Sequence, residues 1–150
     1  MIIKEVEKNE EINICNEFLK KLIIDEKKYD DNINDQIIIN DYYQKVCNDN
    51  NKLFIAIIDN NVIGYIYIKI SDPKQNSDIY KESFIDAIYV ENNYRNNGVA
   101  TNLIEKAKEF SKEKGAKKIS INALKDNKVA LELYYKLGFN DFSVKLKQDL

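Results

Sequence analysis

The stretch Phe84-Ile85-Asp86-Ala87-Ile88-Tyr89-Val90, followed by Glu91-Asn92-Asn93-Tyr94 and then Arg95-Asn96-Asn97-Gly98-Val99-Ala100-Thr101, decides the fold. Its first part is dense in β-branched and aromatic residues and reads as a strand. Beyond Gly98 the apolar residues Leu103, Ile104, Ala107 and Phe110 recur at helical spacing, so the turn joins strand to helix. A helix that begins just after an Arg and a Gly presents unpaired backbone N–H groups and a positive dipole end to one small region. Such a turn suits a phosphate, although a Gly at a strand-to-helix turn is also common in structures that bind nothing.

The chain of 150 residues fits one domain, 1–150, with one core. A formal charge of −2 gives no reason to expect nucleic acid, and no basic run marks a membrane surface. No apolar run is long enough to span a bilayer, and Met1-Ile2-Ile3-Lys4 reads as strand, so a cytoplasmic location is expected. The absence of His removes Ser-His-Asp and Cys-His nucleophile systems and His-containing zinc motifs together. Catalysis must therefore use carboxylate, Tyr, Lys or backbone groups, and no metal is expected. Cys15 and Cys47 sit among apolar residues at helical spacing and read as buried free thiols.

Working outward, residues 2–6 alternate as a first strand, and Ile12, Cys15, Phe18, Leu19, Leu22 and Ile23 form one stripe of a helix from about Glu10 to Lys28. Ile39, Tyr42, Tyr43 and Val46 predict a second, shorter helix. Leu53–Ile58 and Val62–Ile70 are strands joined at Asp59-Asn60-Asn61, and Asp72 through Asp78 breaks the pattern. After the long helix, capped by Gly115, Lys117–Ala123 predicts a short strand. Asp126 or Asn127 caps a last helix ended by Gly138, and Phe139–Leu146 predicts a final strand. The order is β-α-α-β-β-β-α-β-α-β.

Tyr-Val-x-x-x-Tyr before Arg95-x-x-Gly98-x-Ala100 resembles the acyl-CoA pyrophosphate loop of the GNAT acetyltransferase superfamily. Asn127-x-x-Ala130-x-x-Leu133-Tyr134-x-Lys136-x-Gly138-Phe139 is similar to its second signature. The resemblance is firm from Phe84 to Phe139 and loose before Leu53. It implies an α/β (α+β) GNAT fold, a mixed central sheet of six to seven strands flanked by about four helices. It also implies acetyl-CoA as co-substrate, an amine acceptor on a small, polyamine-like molecule or a peptide, and an assembly that in this family is often a homodimer.

Transfer of acetyl from a thioester to an amine needs a held donor, a neutral amine, a polarised carbonyl and a proton for the departing thiolate. The backbone of Asn96, Asn97, Gly98, Val99, Ala100 and Thr101 would hold the pyrophosphate, with Arg95 as a fixed charge and the Thr101 hydroxyl as a further contact. The resemblance adds the backbone of Ile88, Tyr89 and Val90 against the pantetheine arm, Asn127 on that arm, and Tyr134 as the acid that protonates the thiolate. By periodicity alone Tyr134 is a core aromatic; Tyr135 falls about 100° round the helix, out of register.

Asp86 interrupts an apolar strand, a costly place for a charge unless it is used or paired, and is the candidate base. Its register resembles the base-bearing position of polyamine and N-terminal acetyltransferases, where Glu is the more frequent residue. The alternative is an exposed strand residue. Glu26 and Tyr29, at the end of the first helix, would lie by an acceptor amine, although such a charge run reads first as a solvated helix end. A noncatalytic acyl-CoA-binding or regulatory module, and a nucleotide-binding protein, remain the alternatives to an N-acetyltransferase.

Overall fold

The computed structural model describes residues 1–73 and 78–150. The elements are β1 (Ile2–Glu5), α1 (Asn9–Glu26), α2 (Tyr42–Val46), β2 (Asn51–Ile58), β3 (Asn61–Ser71), β4 (Glu82–Val90), α3 (Val99–Glu113), β5 (Lys118–Ile121) and α4 (Lys128–Lys136). A single 3₁₀ turn, Asn92–Tyr94, separates β4 from α3. The strands form one sheet in the order β1-β2-β3-β4-β5, antiparallel from β1 to β4 and parallel between β4 and β5.

The β2–β3 hairpin closes as its sequence requires: Asp59 and Asn60 take φ of 50° and 63°, the left-handed pair that matches strand twist in a two-residue turn. Alternation along β2 and β3 then divides the side chains between two cores. On one face Phe54, Ile66 and Ile68 meet Leu103, Ile104, Ala107 and Phe110 of α3, and Tyr134 of α4. On the other, Ile55, Tyr65 and Tyr67 meet Cys15 and Phe18 of α1 and Tyr43 of α2. The result is a sheet sandwiched between helical layers, each helix burying the stripe its spacing defined.

The second helix is shorter than its apolar spacing predicts. Asp41 has φ of 53°, a left-handed residue that no helix continues through, so Ile39 lies in the preceding loop and the helix starts at Tyr42. Asn16 fixes its placement, donating from Nδ2 to Gln44 at 2.7 Å and accepting at Oδ1 from the Tyr43 N–H at 3.1 Å. The Tyr43 and Tyr65 hydroxyls meet at 2.8 Å, which satisfies both inside the core.

The final strand expected over Phe139–Leu146 does not form, so among the described residues the sheet has five strands where six to seven were expected. Residues 141–150 are exposed, with Phe142 98%, Val144 82% and Leu146 88% accessible. Alternation was read correctly, but alternation makes a strand only where a ladder partner accepts it. Here the N–H groups of Gly138 and Phe139 bond back to the carbonyls of Tyr135 and Tyr134. The Tyr135 hydroxyl donates to Asp141 at 2.6 Å, and the segment leaves the sheet. The break between β3 and β4 is as expected in position; residues 74–77 of it lie outside the described residues.

Candidate active site

The parallel ladder between β4 and β5 ends at Ile85 and Ile121. From Asp86 to Val90, β4 is paired on the β3 side alone, so its other edge is open where the two strands part. Ile88, Tyr89 and Val90 lie on that open stretch, which offers unpaired main-chain groups to an extended ligand arm.

At the end of that edge the chain turns through Asn92–Tyr94 into α3. Asn96 and Gly98 are left-handed, with φ of 63° and 78°. The Gly98 carbonyl accepts both the Asn102 N–H at 3.0 Å and the Asn102 side-chain amide at 2.8 Å, which closes the first turn from below. Among the described residues, no backbone N–H from Asn96 to Thr101 has an acceptor in the protein. A Cβ at Gly98 would meet only the Asn102 amide at 3.8 Å, so Gly is required there by backbone conformation and the space above it is open. A run of free N–H groups at the positive end of the 15-residue α3 is an anion cradle. The Thr101 and Asn97 side chains flank it, Asn97 donating to the Arg95 carbonyl at 3.0 Å.

Arg95 is not a free cation. Its Nε donates to the Val90 carbonyl at 2.8 Å, its terminal nitrogen reaches Asp25 at 3.2 Å, and the guanidinium lies 5.3 Å from the centre of the Tyr89 ring. It joins the end of α1 to the end of β4 and so shapes the cradle's entrance. Sequence pattern supplied Arg95 but not Asp25, because a partner 70 positions away leaves no local signal.

Asp86 occupies a bulge. Tyr67 pairs with Ala87 and Ile68 with Ile85, which leaves Asp86 as the extra residue of β4. Its side chain is exposed, and its negative charge raises the tyrosines at 42, 43, 65 and 67, burial being the larger cause in each. The carboxylate thus faces the α2 side of the sheet, beside Tyr42 and Tyr67. Neither tyrosine was singled out from sequence, since only the bulge brings residue 86 round to them.

Tyr134 arrives from the opposite face. It is 9% exposed, packs edge-on against Phe139 at 6.0 Å between ring centres, and its hydroxyl has no hydrogen-bond partner among the described residues. No polar side-chain atom there is both sealed from solvent and unpartnered, so its hydroxyl opens to solvent. Burial, with the charge of Glu26 second, pushes the phenol up to about 12. Tyr135 is half-exposed and turned to Asp141, as its helical angle requires. Asn127 caps α4, its side-chain oxygen accepting the Ala130 N–H at 3.2 Å, which leaves its amide nitrogen for a ligand.

Glu26 closes α1 on the Tyr134 side. Its carboxyl is raised by burial and by Asp30. Tyr29 follows on the exposed turn, its N–H bonded to the Glu26 carbonyl at 2.9 Å. A cavity of about 720 Å³ between α1 and the loop before α2 holds the Lys21–Glu91 pair at 2.6 Å, but none of the cradle residues and neither Tyr134 nor Asp86. Cys15 and Cys47 are free thiols, one buried and one partly so, and burial raises both. No helix among the described residues is long and apolar enough to cross a membrane.

An open strand edge leading into a helix N-terminus suits an extended ligand that ends in an anionic group. The model of the acetyltransferase (GNAT) family matches residues 16–139, and the chain belongs to that family. It is 34% identical over 96 residues, 61% of its length, to an N-alpha-acetyltransferase of Saccharolobus solfataricus, and spans 58% of that relative. The tetramutant of the BH1408 protein from Bacillus halodurans superposes with a TM-score of 0.86 at 15% identity, over all of both chains. An aminoglycoside N-acetyltransferase, AAC(6')-Iy, solved in complex with CoA, superposes at 0.71 with 20% identity over 99% of each chain. Both likenesses concern the fold.

Proposed function

We propose that the chain transfers an acetyl group from acetyl-CoA to a primary amine, with the α-amine of a peptide as the first acceptor class. The observation that carries this reading is the continuity of the open β4 edge, Asp86 to Val90, with the free N–H groups from Asn96 to Thr101. The N–H groups hold the pyrophosphate, and Ile88, Tyr89 and Val90 pair with the pantetheine arm through their backbone. Asn127 contributes its free amide nitrogen to the same arm.

The thioester then lies between two groups of opposite duty. Asp86, on the α2 side, takes a proton from the incoming ammonium, directly or through water. The neutral nitrogen attacks the carbonyl carbon, a main-chain N–H of β4 polarises the carbonyl oxygen, the nitrogen, now cationic, gives its second proton to solvent, and the C–S bond breaks to leave the amide and the thiolate. Tyr134 gives its proton to the departing thiolate and regains one from solvent. A phenol held near 12 stays protonated throughout the neutral range, as an acid must. Glu26 and Tyr29, at the end of α1, are the further groups proposed to contact the acceptor.

Peptide α-amines come first because the relative at 34% identity over 96 residues and several at 31–32% are N-alpha-acetyltransferases, while the thialysine N-epsilon-acetyltransferase of Bos taurus matches only 60 residues. Small amines follow, since the aminoglycoside enzymes share the fold. Amine-dependent release of free CoA, followed with a thiol-reactive dye across peptides, polyamines and aminoglycosides, tests the proposal. One preferred amine, with release much reduced in Tyr134→Phe, supports it. Acetyl-CoA binding by calorimetry with no release across the panel would replace it with a noncatalytic acyl-CoA-binding module.

A further inference from the structure

We propose that the Asp86 carboxylate and the hydroxyls of Tyr67 and Tyr42 together seat the acceptor's ammonium group, and that they select a primary amine by engaging its three N–H donors. This seat presupposes the acetyl transfer proposed above and specifies the amine it requires. The bulge in β4 sets Asp86 beside the Tyr67–Ala87 pair. Tyr42 opens α2, and its ring and that of Tyr67 both pack edge-on against Tyr43, at 5.1 and 4.9 Å between ring centres. One helix and one strand thus deliver two phenols to the side of the sheet that Asp86 faces.

The hydroxyls in this aromatic cluster fall into two kinds. Those of Tyr43 and Tyr65 meet at 2.8 Å and satisfy each other inside the core. Those of Tyr67 and Tyr42 have no hydrogen-bond partner among the described residues, where no polar side-chain atom is both sealed from solvent and unpartnered. Tyr67 is nevertheless only 1% exposed, so its hydroxyl is the part of the residue that reaches the surface. A phenylalanine would fill the same place in the core, and the polar tip adds nothing to the packing. Burial raises both phenols and the Asp86 charge raises them further, which agrees with a carboxylate close to both.

Neither phenol bonds to Asp86 directly. A group that bridges a carboxylate and two neutral hydroxyls must donate several hydrogen bonds from one centre, and the lone pairs of a phenol accept them. A primary ammonium has three N–H donors, one for each of the three side chains. A secondary ammonium lacks one of them and carries a carbon in its place, and a quaternary ammonium has none. Bonds from a charged donor are the strong ones, so each loss should be felt.

Nuclear magnetic resonance of the chain labelled at its tyrosine rings, titrated with n-butylammonium chloride or its N-trimethyl counterpart, tests the seat without turnover. The primary ammonium is expected to move the Tyr42 and Tyr67 signals. It should bind about tenfold more weakly to Tyr67→Phe and to Tyr42→Phe, and the trimethyl form should bind the wild type about tenfold more weakly or worse. Both variants keep the rings that pack on Tyr43, so the fold is preserved. In turnover with the preferred amine, each variant should raise KM about tenfold while kcat and the acetyl-CoA dissociation constant stay within about twofold. Tyr65→Phe, which removes a hydroxyl bonded inside the core, should lower the melting temperature and leave KM unchanged. Butylammonium binding that is equal in wild type and variants, a trimethyl form that binds as tightly, or a loss of kcat at constant KM would each overturn the seat while leaving acetyl transfer in place. Butylammonium binding that depends on Tyr67 and Tyr42 with no CoA release for any amine would support the seat and overturn acetyl transfer.

Discussion

Arg95 donates its Nε–H to the carbonyl of Val90 at 2.8 Å, so the cation at the mouth of the cradle is fastened to the last residue of the strand that leads into it. The same guanidinium holds Asp25 at 3.2 Å. Losing a charge-assisted bond of this kind costs about 2 kcal/mol. Arg95→Ala is expected to lower the unfolding free energy by about that much and to weaken acetyl-CoA binding roughly tenfold, read by denaturation and calorimetry. Asp25→Asn removes only a half-exposed ion pair and is expected to cost less than about 1 kcal/mol.

Tyr134→Phe keeps the ring that packs on Phe139 and removes the proposed proton donor. Turnover should fall about 10²-fold or more while the acetyl-CoA dissociation constant stays within a factor of a few. A comparable loss of binding would show that the hydroxyl serves the cofactor and not the thiolate.

The same phenol makes stability depend on alkaline pH. Its folded value, about 12, lies above the ordinary 10, so the folded state keeps a proton that the unfolded chain loses. Stability is therefore unaffected below pH 10 and falls as pH rises towards about 12, a decline that Tyr134→Phe should reduce in urea titrations at those pH values.

Glu11 acts at the other end of the scale. Burial alone would raise its carboxyl, but the Lys4 ammonium at 2.7 Å and the N–H groups of Glu7 and Lys8 hold it down to about 2. The stability this confers is present above the ordinary value of 4.5 and is lost as pH falls through about 2. Solvent screening of a pair at the surface holds its worth to about 1 kcal/mol. Glu11→Gln should lower stability at pH 7 and flatten its dependence below pH 4.5.

Gly64 is a position where a methyl group has no room. A Cβ there would sit 2.8 Å from the Tyr89 carbonyl oxygen, backbone that cannot swing aside. Gly64→Ala should cost about 1–3 kcal/mol and, by displacing Tyr89 and Val90, weaken acetyl-CoA binding as well. Gly98→Ala, with open space but φ of 78°, should cost about 1–2 kcal/mol through backbone strain.

What the sequence made legible was local. Gly98, Asn127 and the Asp59-Asn60 turn announce themselves because their backbone demands are met by neighbouring residues. Tyr134 was separable from Tyr135 by helical angle together with the register of the motif that begins at Asn127. The Asp25 partner of Arg95, the close approach at Gly64 and the tyrosines beside Asp86 depend on elements distant in sequence, and no periodicity encodes them. Phe139–Leu146 shows the opposite failing: its alternation is that of a strand, while a strand also needs an edge.

The bulge at residue 86 has an evolutionary corollary. Ile85 and Ile88 serve one core and Ala87 and Tyr89 the other, so the extra residue between them belongs to neither. Substitution at 86 leaves the packing on both faces intact, and a lineage can exchange Asp for Glu, Asn or Ser there without refolding the strand. With Asp86 as the proposed base, the position that would meet the acceptor and the positions that hold the fold are different ones, so each can vary without the other.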